Sequence, residues 1–278
     1  MGRRYHKNYP ATMRRRYGIP RGQYSEGLGV VRGYQSILRP PAPAALWDFR
    51  LPAWAGKHRL WLDSGRTMRA SEIGDPAGAR DDLGPDGLHA VQTTDADRSM
   101  WLGLGDGVHF AGGGESLVAL STASAFSFLH ETAVFSIGLS LRLAPVEQQN
   151  LDVPDIVTQS RGSDTTGVRT LWDSPDRAPR IIIRTDGGSD TDITGDADTL
   201  HEDTWHTLWF VGDGSTIRMY VDGDDVGSGA VAGTASGAAS DDLHIFRRLN
   251  NGSSTAGDMR WLVIFDRALD QSEIEALS

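Results

Sequence analysis

The 278-residue chain contains no cysteine, which excludes disulfides and thiolate metal sites. Lysine is almost missing too. Lys7 and Lys57 are the only two, and arginine supplies the remaining cationic charge. No run of eighteen apolar residues occurs, so no membrane-spanning helix is expected. The opening MGRRYHKNYP has no apolar stretch behind its charges, so no secretory leader is expected there. Glutamate is scarce at eight copies, and only Glu273 and Glu275 lie close together. What the sequence does hold is 33 glycines with many Asp, Ser and Thr, a composition that disfavours helices and suits a turn-rich β protein. At this length the chain can bury one large core or two modest ones.

Charge is divided unevenly. Residues 1–40 hold Arg3, Arg4, Lys7, Arg14, Arg15, Arg16, Arg21, Arg32 and Arg39 against Glu26 alone, a net of +8. The whole chain is −10, which leaves −18 on residues 41–278. A basic arm on an acidic body is the expected organisation, with the arm at 1–45 and the body at 46–278. Apolar residues in the arm are sparse and aperiodic, and it ends in RPPAPAA, a Pro/Ala run that makes an extended, semi-rigid connector.

Beyond Leu46 the pattern is one of short strands and turns. In FSIGLSLRL, residues Phe135, Ile137, Leu139, Leu141 and Leu143 alternate with small or polar residues, the period of a half-buried strand. RIIIRT (180–185), LHIFRRL (243–249) and RWLVIF (260–265) read as further strands. Between them, Trp205 to Val211 and Thr216 to Val221 form a hairpin around GDGS, closed by DGDD. Turn signals recur about every ten residues, as in a sandwich. The one helix predicted is LDQSEIEALS, where Asp270 and Glu273 make a capping box and Leu269, Ile274 and Leu277 share a face.

The stretch WHTLWFVGDGSTIRMYVDGDDVGS and the closing FDRALDQSEIEAL resemble the laminin-G-like jelly rolls of the concanavalin A-like lectin and glucanase superfamily. Trp205, His206, Leu208, Phe210, Asp213, Gly214, Tyr220, Val221, Asp222, Gly223, Arg267, Leu269, Glu273 and Ile274 carry the likeness, over about the last 150 residues. A looser likeness lies upstream, through Trp47, Asp48, Phe49, Gly74, Gly78, Asp82, Gly87, His89, Ala90, Gln92, Arg98, Val108 and Phe110. It resembles the segment that precedes such jelly rolls in phage and prophage proteins. The resemblances imply a mainly β, antiparallel jelly-roll sandwich carrying an extended N-terminal arm, of a kind found in virions.

Sites of chemistry are few. Glucanases of this superfamily place carboxylates together on one strand face, and glycoside hydrolysis needs two of them roughly 5–9 Å apart. Glu273 and Glu275 sit two apart on a helix and point in different directions, so a glycosidase is the remotest reading and the chain is not expected to be an enzyme. No nucleophile elbow occurs, and GLGDGVHFAGGG lacks the helix a phosphate cradle needs, so it reads as turn, strand, turn. Asp186, Asp190, Asp192, Asp196 and Asp198 crowd a Gly-rich loop, which leaves calcium as the one weakly supported cofactor. His206 reads as a structural hydrogen-bonder. Trp209 faces away from the core that Leu208 and Phe210 enter, so it is either covered by the 46–110 segment or presented to a partner or sugar. Trp172 is a second candidate platform.

Arg3, Arg4, Arg14, Arg15, Arg16 and Arg21 are the candidate anchoring residues. Docking into an acidic protein groove suits them better than nucleic acid, which the acidic body repels. The expectation is therefore a phage virion structural protein: a capsid-decoration, head-fibre or tail-associated module. The arm fastens it to other virion proteins, and it is expected to be a homo-oligomer with no membrane partner. The alternative is a carbohydrate-binding module for host-surface glycans.

Overall fold

A computed structural model describes residues 58–63, 76–77, 79–80, 88, 90–92, 98–103, 107–113, 115–119, 122–149, 154–160, 166–184, 190–247 and 254–278. In chain order the strands are β1 His58–Asp63, β2 Pro76–Ala77, β3 Ala79–Arg80, β4 Ala90–Val91, β5 Ser99–Gly103, β6 Gly107–Ala111, β7 Leu117–Ala119, β8 Val134–Leu143 and β9 Asp155–Thr158. They continue with β10 Gly167–Asp173, β11 Ala178–Arg184, β12 Thr191–Thr194, β13 Trp205–Asp213, β14 Thr216–Val221, β15 Asp224–Ala230, β16 Leu243–Ile245 and β17 Ala256–Phe265. Among the described residues there are also three short α-helices, α1 Thr122–Ala125, α2 Phe128–Glu131 and α3 Gln271–Leu277, and a 3-10 turn at Val146–Gln148.

The strands form two antiparallel sheets. The first runs β15-β14-β13-β8-β17-β6-β5-β2, with β1 also paired to β17, and the second runs β12-β11-β10-β9-β16-β7-β4-β3. Long β17 serves two neighbours on one side, β6 along its first half and β1 along its second. Alternation decides what lies between the sheets. Phe135, Ile137, Leu139, Leu141 and Leu143 of β8, with Leu208 and Phe210 of β13, join Ile181 and Ile183 of β11 in one buried core. Each such side chain contributes about 1.5–3 kcal/mol by leaving water. At one side the edge strands close on each other, where Asp196 N–H donates to the Val226 carbonyl at 2.6 Å. That contact shields edges that would otherwise pair with other chains.

The sandwich expected from the sequence is therefore present, with differences in detail. Residues 260–265 are only the second half of β17. The strand expected at 243–249 stops at Ile245, because Phe246 turns into the left-handed region at φ 62°. Helices α1 and α2, within STASAFSFLHET, went unforeseen because four-residue helices carry no periodic signal. Asp222 and Gly223 both have positive φ (54° and 93°), as the Asp-Gly turn requires, whereas at Asp213-Gly214 only the glycine does.

Candidate ligand-binding site

The outer face of the first sheet is built in rows, because paired residues of neighbouring strands point the same way. One row runs Trp61 (β1), Val263 (β17), Gly138 (β8), Trp209 (β13) and Tyr220 (β14). Gly138 is the floor under an indole. A Cβ there would stand 2.2 Å from a ring carbon of Trp209, so no larger residue fits. Trp209 meets Trp261 with ring centroids 5.8 Å apart, and Leu269, Ile274 and Leu277 complete the same buried cluster. Helix α3 is held there at its N-terminus. Asp270 accepts from Glu273 N–H at 2.9 Å, the Glu273 carboxylate accepts from Asp270 N–H at 3.0 Å, and both Arg267 Nη atoms reach Glu273 at 2.8 Å. The Arg267 guanidinium holds the Glu273 carboxyl below its ordinary pKa. Ser136 Oγ donates to Arg267 O and accepts from Leu269 N–H, tying the approach to the sheet.

Two rows further along the same strands, roughly 13 Å away, the chemistry changes. Trp205 of β13 pairs with Arg142 of β8, Arg142 with Asp258 of β17, Asp258 with His109 of β6, and His109 with Met100 of β5. Arg142 donates through Nε at 2.8 Å and Nη2 at 2.5 Å to Asp258 Oδ2, while Asp258 Oδ1 lies 2.7 Å from His109 Nδ1. Asp258 and His109 are buried; Arg142 and Trp205 keep partial exposure. The register of β17 slips between Met259 and Trp261, and Arg260 stands at that bulge. Its guanidinium lies 3.8 Å from the Trp205 ring centroid, and that of Arg142 lies 5.1 Å from it. An indole with two guanidiniums over its ring, one of them oriented by a buried carboxylate, joins an aromatic surface to planar cationic groups in one partly exposed cluster.

His206 is the hydrogen-bonder expected. Its Nε2 accepts from His201 N–H at 3.2 Å, so Nδ1 carries the proton and donates to Asp222 Oδ2 at 2.7 Å. Asp222 Oδ1 accepts from Thr207 N–H at 2.7 Å, which pins the β13–β14 hairpin at its open end. Burial pushes the Asp222 carboxyl up, but the hydrogen bonds from His206 and Thr207 outweigh it and hold the carboxyl below its usual range.

Neither tryptophan proposed as a platform is one. Trp209 is 0% exposed, against Trp261 in a buried cluster that also holds Trp61 of the 46–110 segment and the apolar face of α3. Trp172 is also 0% exposed, since β10 alternation turns Val168 and Trp172 into the core. In the acidic loop, Asp190, Asp192 and Asp198 are paired to Arg184, Arg180 and Arg177, so arginines hold the charge that a calcium ion would neutralise. Among the described residues no three acidic or histidine side chains converge as metal ligands. Asp186 lies outside the described residues, as do Arg3, Arg4, Arg14, Arg15, Arg16 and Arg21. Glu273 binds Arg267, and Glu275 accepts from Gln271 at 2.9 Å. The Trp205 cluster itself was not singled out beforehand. Its available signal was Arg142, the one charged residue among the outward positions of FSIGLSLRL.

Comparison with known proteins is consistent with this architecture. No curated protein matches the chain. Among solved structures, the Trypanosoma rangeli sialidase in complex with 2,3-difluorosialic acid superposes with a TM-score of 0.56 at 14% identity, covering 80% of this chain and 32% of that one. The receptor binding domain of a botulinum neurotoxin C/D mosaic serotype gives a TM-score of 0.54 at 12% identity, covering 79% and 50%. The chain thus spans about a third of the sialidase's length, and at such identity the likeness is one of fold. The family model described as concanavalin A-like lectin/glucanases superfamily matches residues 113–275, over half of the chain and the stretch that supplies β7 to β17. The chain belongs to the concanavalin A-like lectin/glucanase superfamily.

Proposed function

We propose that the sandwich is a glycan-binding module without enzymatic activity, and that the basic arm displays it on a virion. The observation that supports the glycan reading is the partly exposed Trp205 with Arg142 and Arg260 against it. Sugars offer an apolar ring face to an indole and hydroxyls to planar donors, so this set of groups suits them. The fold is one that lectins use, and the two structural relatives are a sialidase with a bound sialic acid derivative and a receptor binding domain. The non-enzymatic reading rests on the engagement of Glu273 and Glu275 within α3 and its cap.

A glycan array probed with the full chain tests the first part. Binding that disappears in Trp205→Ala, with an unchanged melting temperature, supports it, and an array blank for the parent chain overturns it. Release of reducing sugar from any bound polysaccharide would overturn the non-enzymatic reading. The virion reading comes from the net +8 on residues 1–40 and the upstream resemblance. Deleting residues 1–40 should abolish incorporation into particles, and undiminished incorporation would overturn it.

A further inference from the structure

We infer that residues 231–240, the connection from β15 to β16, form a strap that His130 latches at neutral pH and releases on acidification. The connection reads VAGTASGAAS and carries no large side chain after Val231. It links the first sheet to the second, yet apart from Ala239 it is exposed or half-buried and has little apolar surface to bury. Hydrogen bonds hold it down. Ala235 N–H donates to the His130 carbonyl at 3.0 Å, and Ala239 N–H to the Ala123 carbonyl at 2.8 Å. Both backbone polar groups of Gly237 are held by side chains of α2. Its N–H donates to Glu131 Oε1 at 2.7 Å, and its carbonyl lies 2.9 Å from His130 Nε2. A segment fastened mainly by hydrogen bonds is of the kind that opens locally, ahead of the sheets.

The latch depends on a neutral imidazole. His130 is 0% exposed, and because a carbonyl only accepts, Nε2 carries the ring's proton. Nδ1 is buried with no hydrogen-bond partner among the described residues. A second proton would land on Nδ1 with nothing to bond, so the closed strap refuses it. Burial holds the ring's pKa below its ordinary value, against the opposing pulls of the Gly237 carbonyl and the Glu131 carboxylate. Helix α2 packs on β8, β10 and β11, which turn Phe135, Val168, Trp172, Ile181 and Ile183 into the core beneath it. Arg59 meets the helix at the Phe128 ring, 5.8 Å from its centroid, and the strap itself has no ionisable residue. Glu131 is the charged group acting on His130 among the described residues.

Opening returns His130 to water, where its pKa is near 6.5. As pH falls below about 6.5 the open strap gains a proton that the closed one refuses, and opening becomes easier by about tenfold per pH unit. Glu131 acts in the same direction at lower pH. Gly237 N–H, then the Ser127 hydroxyl, hold its carboxyl below its ordinary value, so its grip on Gly237 is lost as pH falls through that lowered value. A second buried histidine, His244, stands just beyond the strap, with Thr158 and Val118 beside it on β9 and β7. Burial lowers its pKa against the pull of Asp241 and Asp242, and Arg247 adds to the lowering. Once open it would titrate in the same range, so variants must tell the two histidines apart.

Hydrogen–deuterium exchange on the full chain tests this, with labelling times scaled for the intrinsic pH dependence of exchange. Between pH 7.5 and pH 5.0, protection of Ala235, Gly237 and Ala239 should fall by about ten- to thirtyfold, the range for one proton with an open-state pKa near 6.5. The fall should begin near pH 6.5, while β8 and β13 keep their protection. His130→Gln keeps an amide N–H in place of Nε2 and cannot titrate, so the fall should collapse to about twofold. Glu131→Gln keeps an acceptor for Gly237 and should retain the fall. If His130→Gln fails to fold, His244→Gln decides, because the fall should survive there. Unchanged protection at pH 5.0 overturns the inference. So does a fall that persists in a folded His130→Gln or vanishes in His244→Gln, since either assigns the proton elsewhere. A fall that begins only below pH 5 belongs to carboxylates, and an equal loss across β8 and β13 is global unfolding; each overturns the latch.

Discussion

Trp209 and Trp205 lie four residues apart on one strand and one face, yet only Trp205 keeps contact with solvent. The same three strands, β8, β13 and β17, build both surroundings. Under Trp209, β8 offers Gly138, and above it lie the chain leading to α3 and the helix's apolar face. At Trp205, β8 offers Arg142 and β17 offers Asp258 and Arg260. A glycine floor with an apolar cover makes one tryptophan part of the core. A charged floor leaves the other partly exposed. Side-chain identity on the neighbouring strands, not the aromatic residue or its orientation, separates the buried indole from the half-buried one.

Substitutions can break this comparison, and the largest effect is expected at Trp209. Trp209→Ala should cost about 3–5 kcal/mol in urea unfolding, the usual range for a fully buried aromatic. Trp205→Ala should cost a minor fraction of that while removing glycan binding; similar costs at the two positions would erase the distinction. Gly138→Val should cost about 1–3 kcal/mol or more by forcing Trp209 off its floor, leaving ligand affinity of the folded fraction unchanged. Asp270→Ala, which removes the α3 cap, should cost about 1 kcal/mol and raise quenching of tryptophan fluorescence by iodide as the cover frays.

The smallest effect is expected at Asp213, whose carboxyl takes hydrogen bonds from Ser215 N–H, Ser215 Oγ and Thr216 N–H and is held down at about 2. The unfolded value is near 3.9. Because the folded value is the lower one, this stabilisation is fully present above about pH 4 and is lost as pH falls through 2. Solvent screening at this exposed turn limits it to about 0.5 kcal/mol. Asp213→Asn should therefore shift stability slightly at pH 7 and not at all near pH 2.

Much of the fold was legible in local sequence. The period-two spacing of Phe135 to Leu143 and of Leu208 and Phe210 identified core positions correctly, since alternation leaves one choice of face once one side must be apolar. The α3 capping box was equally legible, because both partners lie within one helical turn. The outward direction of Trp209 followed from the same alternation, but its burial did not. Trp61, Trp261 and Leu277 are brought to it by pairings between strands far apart in the chain.

The candidate site was still less accessible from sequence. His109, Arg142, Trp205 and Asp258 stand at separations of up to 149 residues, and only strand pairing brings them, with Arg260 two residues beyond Asp258, to one patch. The amino-acid sequence by itself determined the β class, the turns, the inward faces and the helix cap, because each is settled by neighbours along the chain. Only the tertiary structure decided which tryptophan is buried and which charges meet. Strand order and register are collective outcomes of packing two sheets, and a residue's environment on the outer face depends on strands it never adjoins in sequence.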